Sequence, residues 1–169
     1  MTKRKVRLLI LGIAVLLILG IAASYFLPTN ITLSSLQKGD AFQFRNFRFG
    51  TPKGSVKLLW SGILENYPLP PQDVLLCEDS AKVNGNLADM YFYFQEGKLH
   101  EVAITVKDCD KAWTDALLED ARQQYGAEDT NAKDLVYKWY RGDTVFALSR
   151  SNITTDVMLV ISRIDAPTQ

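Results

Sequence analysis

The stretch that decides the fold reads Met90-Tyr-Phe-Tyr-Phe-Gln95, Glu96-Gly97, Lys98-Leu-His-Glu-Val-Ala-Ile-Thr-Val106. Two runs of β-branched and aromatic residues flank two residues with glycine in the second place, the pattern of a tight hairpin. With Glu96 and Gly97 in the turn, simple register puts Phe94 opposite Leu99, Tyr93 opposite His100, Phe92 opposite Glu101 and Tyr91 opposite Val102. One face then carries Met90, Phe92, Phe94, Leu99 and Ala103. The other carries Tyr91, Tyr93, His100, Val102, Ile104 and Val106. Both faces are apolar over much of their length, so the hairpin is expected at the centre of a sheet, covered on one side and partly on the other.

Working outward, the C-terminal side supplies a helix and three strands. Asp110 precedes a stretch (residues 111–125) in which Trp113, Leu117, Ala121 and Tyr125 recur every four residues beside Ala116, and Gly126 ends it. Residues 135–141 and 144–150 pair around Gly142-Asp143, placing Trp139 opposite Phe146 and Tyr137 opposite Leu148. Lys138, Tyr140, Val145 and Ala147 share the other face. Residues 157–164 form a third apolar strand.

The N-terminal side reads similarly. Thr51-Pro52 starts a helix with Val56, Leu59, Trp60 and Ile63 on one stripe, ending before Pro68. Tyr67-Pro68-Leu69-Pro70-Pro71 reads as an extended connector. Residues 73–78 form a short strand with Cys77, and Asn84-Gly85 a tight turn into the hairpin. Phe42 and Phe44 alternate with polar residues, as Phe47 and Phe49 do in the opposite phase, which predicts a bulged strand broken near Arg45-Asn46.

Upstream, Lys3, Arg4, Lys5 and Arg7 precede an uncharged run, residues 8–27. About 20 apolar residues make roughly 30 Å of helix, enough to cross a bilayer. Residues 1–7 are expected in the cytoplasm, 8–27 as a single-pass signal anchor, 28–40 as a linker, 41–164 as an extracytoplasmic domain and 165–169 as a frayed tail. Cleavage near Ala22-Ala23-Ser24, which would release a periplasmic or secreted protein, is the competing reading. Of the two, the length of the run favours the anchor. No cysteine lies near its end.

The fold class expected is α+β: after the transmembrane helix, a two-layer domain of antiparallel sheet and two helices. Helix-then-three-strands occurs twice, which suggests a tandem repeat. Phe47-Arg48-Phe49-Gly50-Thr51 ahead of a helix with Val56, Met90-Tyr-Phe-Tyr-Phe with Gly97-Lys98-Leu99, Tyr125-Gly126 and Trp139 together resemble a loose class of small bacterial envelope domains, anchored or lipidated and largely of unknown function. Their general shape is similar to the small lipoprotein of the outer-membrane assembly machine and to the tandem β-lactamase inhibitor protein. The resemblance covers most of residues 42–163 and implies no catalytic residue.

The formal net charge is +0 across 169 residues, which leaves no basic excess for nucleic-acid phosphates. Cys77 and Cys109 are expected to form a disulfide outside the membrane. The alternative is two reduced thiols. No paired Cys/His spacing, calcium loop or glycine-rich phosphate loop is present, so no metal or cofactor is assigned. His100 lacks an orienting acid and a nucleophile in sequence, and reads as packed against Tyr93. The site expected is therefore a non-enzymatic interaction surface with an envelope protein as partner, on the sheet face away from the helices: Tyr91, Tyr93, Lys138 and Tyr140. A pocket for a small apolar ligand lined by Trp60 and Trp113 is the second reading.

Overall fold

The computed structural model describes residues 28–60, 62–131, 135–151 and 153–164. The N-terminal anchor and the tail from 165 lie outside these. No helix among the described residues is long and apolar enough to cross a membrane.

The domain is α+β and mostly sheet, with two helices on one side. In chain order the elements are β1 (Thr29–Ile31), a 3-10 turn (Leu33–Leu36), β2 (Gln37–Lys38), β3 (Ala41–Phe42), α1 (Lys53–Leu59), β4 (Glu65–Leu69), β5 (Gln72–Val83), β6 (Asn86–Gln95), β7 (Lys98–Val106), α2 (Lys111–Tyr125), β8 (Asp129–Asn131), β9 (Val136–Arg141), β10 (Thr144–Arg150) and β11 (Val157–Arg163). The main sheet has nine strands in the order β1-β5-β6-β7-β11-β10-β9-β8, and β4 pairs with the first half of β5. Two meanders, β4 to β7 and β8 to β11, thus meet through their last strands, β7 and β11. Each meander has four strands rather than three.

The three expected turns form where glycine permits positive φ. Asn84 and Gly85 have φ 46° and 92°, Glu96 and Gly97 have 51° and 71°, and Gly142 has 55°. Asp110 caps α2 by accepting from the Trp113 N–H at 2.7 Å, and Gly126 closes the helix at φ 89°.

The central register differs from the simple one. A bulge at His100 shifts the pairing by one residue, so Phe94 still faces Leu99 but Tyr93 faces Glu101, Phe92 faces Val102 and Tyr91 faces Ala103. One extra residue flips every later side chain. Val102, Ile104 and Val106 therefore join Met90, Phe92, Phe94 and Leu99 in the core, and Ala103 moves to the tyrosine face. The core rows then run straight across five or more strands: Leu75, Phe92, Val102, Ile161, Phe146, Trp139, and beside it Cys77, Met90, Ile104, Leu159, Leu148, Tyr137.

Both helices cover this face. Trp60 packs edge-on against Phe92 at 5.3 Å and beside Phe44 and Phe47, while Tyr125 contacts Phe42, Phe146 and Trp139. Each such side chain removed from water contributes about 1.5–3 kcal/mol. Polar ends are satisfied within the core: the Tyr125 hydroxyl donates to the Leu33 carbonyl, and Trp139 Nε1 donates to the Gly126 carbonyl at 2.9 Å.

Four expectations are corrected here. Residues 28–40 are no linker, since Ile31, Leu33 and Leu36 are buried against the sheet and helices. The proline-rich connector is the edge strand β4, where Pro68 needs no ladder N–H, and a cis Pro70–Pro71 bond leads into β5. The phase change at Arg45-Asn46 is a tight turn that brings Phe44 and Phe47 to stack at 6.4 Å, not a bulged strand. α1 stops at Leu59 because Trp60 turns extended to enter the core, which leaves Leu59 and Ile63 outside.

Candidate functional site

The face opposite the helices is where the candidate side chains gather. Strand pairing orders it into rows. One row runs Tyr67, Val74, Tyr93, Glu101, Ser162, Val145, Tyr140; the next runs Glu65, Leu76, Tyr91, Ala103, Val160, Ala147, Lys138, Asp129. Tyr93 and Tyr140 thus stand on one row and Tyr91 and Lys138 on its neighbour, in each case four strands apart. At about 4.8 Å per strand that is roughly 19 Å. The structure places all four predicted residues on one face, at the corners of a rectangle rather than in one cluster.

Between the corners the floor is low. Ala103, Val160, Ala147 and Val145 have short side chains, with Thr105, Met158 and Ser149 on the row below. None of the described helices lies on this face. Met158 is 41% exposed and Tyr140 49%. The tyrosine wall is built from three rings: Tyr67 meets Tyr91 edge-on at 5.8 Å, and Tyr91 stacks on Tyr93 at 6.5 Å. Beneath them Val74 and Leu76 are buried. Tyr67 was not legible as part of the site, because its strand reads as a connector.

Beyond Glu65, Lys138 and Asp129 at the ends of the row, two charged points mark the face. Glu101 sits half-buried between Tyr93 and Ser162, and burial raises its carboxyl above the ordinary range while His100 pulls it down. Burial also raises the Tyr93 phenol, with Glu101 adding to it, and the Tyr91 phenol, with Asp89 adding. The second point is an ion cluster at the β5 bulge. Lys107 Nζ lies 2.9 Å from Asp89 and 2.8 Å from Asp79, and Asp89 accepts from the Asp79 N–H at 2.8 Å. These bonds hold the Lys107 ammonium above its usual range.

The other candidates lie elsewhere. His100 does not face Tyr93. It lines a cleft of about 530 Å³ at the hairpin end with Gln95, Lys98, Asp143 and Arg163, and among the described residues no serine or cysteine lines that cleft. Ser151 accepts from the N–H groups of Ile153 and Thr154, a turn-forming role. Among the described residues no group of His, Cys, Asp and Glu could hold a metal ion. Trp60 is buried among phenylalanine rings rather than lining a ligand space.

The expected disulfide is also corrected: both cysteines are free and buried. Cys77 pairs with Met90, and its sulfur accepts from Trp60 Nε1 at 3.3 Å. The Cys109 sulfur lies 3.8 Å from Asn86 Nδ2, four residues further along β6. Four strand residues span about 13 Å, whereas bonded cysteines need Cα atoms within about 7 Å. Burial raises the Cys109 thiol above its ordinary value.

No family model, curated protein or solved structure matches the chain.

Proposed function

We propose that this protein is a non-enzymatic interaction module of the bacterial envelope, tethered to the membrane by residues 8–27 and engaging a protein partner through the uncovered sheet face. One observation carries this reading: a nine-stranded sheet puts both of its helices on one side and leaves on the other a low apolar floor walled by Tyr67, Tyr91 and Tyr93 and by Tyr140. Tyrosine gives large contact area at low entropic cost and retains a hydrogen-bonding tip, which suits recognition. A tether supports the same reading, since confinement to a surface raises the effective concentration of a membrane-bound partner. The mirrored order of the two meanders supports an origin by tandem duplication.

The test is recovery from crosslinked membranes. The parent chain is expected to bring down a partner that Ala147→Arg, which raises a long cation from the floor, does not. Ser34→Arg, outside the face, is expected to behave as the parent. Equal recovery by Ala147→Arg and the parent would overturn the reading.

A further inference from the structure

A second exposed apolar surface lies at the end of α1. Leu58 is 84% exposed, Leu59 65% and Ile63 73%. Single exposed leucines are ordinary, but three large apolar side chains exposed within six residues are not, and such a group calls for an occupant.

Its place in the fold points to one. β1 pairs in parallel with the second half of β5, starting from Thr29 opposite Ala81. Followed back from Thr29, the chain heads toward Ser80. β4 pairs with the first half of the same edge, with Glu65 opposite Leu76. Followed back from Glu65, the chain heads toward Cys77, and Gly62 is pressed against the Cys77 sulfur, 2.7 Å from where a Cβ would stand. Cys77 and Ser80 are three residues apart, about 10 Å along a strand. The point where residues 8–27 join the domain and the loop bearing Ile63 therefore converge on one short length of one sheet edge.

From this convergence we infer that Leu58, Leu59 and Ile63 enter the lipid surface beside the anchor and set the orientation of the domain on the membrane. The inference rests on the anchoring role proposed above for residues 8–27. Lys57 is exposed on α1, and Glu65 and Glu78 are exposed on the adjoining strands, which leaves no cationic excess there, so the contact depends on apolar burial, not on anionic lipid. With this edge at the bilayer, the rows of the open face run away from the membrane, Tyr67 nearest to it and Tyr140 farthest, and the face stays accessible from the side.

The full chain reconstituted into phosphatidylcholine vesicles tests this. The vesicles carry a phosphatidylcholine with a diazirine near the head of one acyl chain. Floated vesicles are photolysed and the adducts mapped by mass spectrometry. Adducts are expected on residues 57–64 as well as on 8–27, several-fold more than on residues 136–150. The triple variant Leu58→Ser, Leu59→Ser, Ile63→Ser is expected to float as the parent does and to lose the adducts at 57–64. A chain that floats with adducts confined to 8–27, or whose 57–64 segment crosslinks to protein in place of lipid, overturns the inference and leaves the tether standing. A chain that does not float overturns both.

Discussion

Tyr93 stands directly opposite Glu101, because the β6–β7 register shifts by one residue at His100. That bulge sets a carboxylate in the middle of an apolar floor, where burial raises its pKa. A carboxyl with a raised folded pKa holds its proton more tightly folded than unfolded. It supports the fold below the unfolded value, about pH 4.3, and that support is lost as pH rises through the folded value. Glu101→Gln removes the loss. Urea midpoints should show the variant more stable than the parent at pH 7.5, with the gap closing toward pH 4. A less stable variant at pH 7.5 would contradict this electrostatic picture.

The Lys107 cluster has the opposite sign. Its ammonium is raised by hydrogen bonds to Asp79 and then Asp89, so its contribution is complete below the unfolded value, about pH 10.4, and lost only as pH rises beyond it. Lys107→Met takes the ammonium from Asp89, which is 9% exposed and keeps the hydrogen bond from the Asp79 N–H. The expected cost is about 1–2 kcal/mol, the low end for a buried carboxylate because Lys107 itself is partly exposed. Denaturation at pH 7 and pH 9 should give the same deficit. A neutral substitution would mean the bulge does not depend on the ion pair.

Two glycines should respond in opposite directions. A Cβ on Gly62 would stand 2.6 Å from Trp60 Nε1 and 2.7 Å from the Cys77 sulfur, both held in the core. Gly62→Ala is expected to cost about 1–3 kcal/mol through overpacking. Gly54, inside α1, has open space around it. Gly54→Ala should stabilise by about 0.5–1 kcal/mol. Thermal unfolding of the pair checks the packing of α1 on β5.

The thiols give a chemical test. Cys77 and Cys109 are buried and free, so the native protein should react slowly with a thiol reagent and take up two equivalents once denatured. Added reductant should leave the melting temperature unchanged. One disulfide detected by mass under non-reducing conditions would contradict the packing described.

What the sequence reveals is local. Asn84-Gly85, Glu96-Gly97 and Gly142-Asp143 are legible because two-residue turns demand positive φ, and Asp110 and Gly126 because helix ends leave backbone groups to satisfy. Lys138 and Tyr140 could be placed opposite Trp139 by alternation alone. The bulge at His100 has no such mark, and a ladder without it would put Val102, Ile104 and Val106 on the opposite face. Nor is the β7–β11 pairing legible, because nothing local encodes a contact over some fifty residues. Without it the floor of Ala103, Val160 and Ala147 has no counterpart in the sequence. β4 was hidden by its prolines, which mark an edge strand as readily as a connector.

The most direct measurement of the central proposal is site-specific photocrosslinking in native membranes. A benzophenone side chain replaces Tyr93 in one full-length chain, Tyr140 in a second and Ser34 in a third. The account predicts the same protein adduct from positions 93 and 140, across roughly 19 Å of open sheet, and none from 34. Adducts from position 34 alone, or from none of the three, would contradict it.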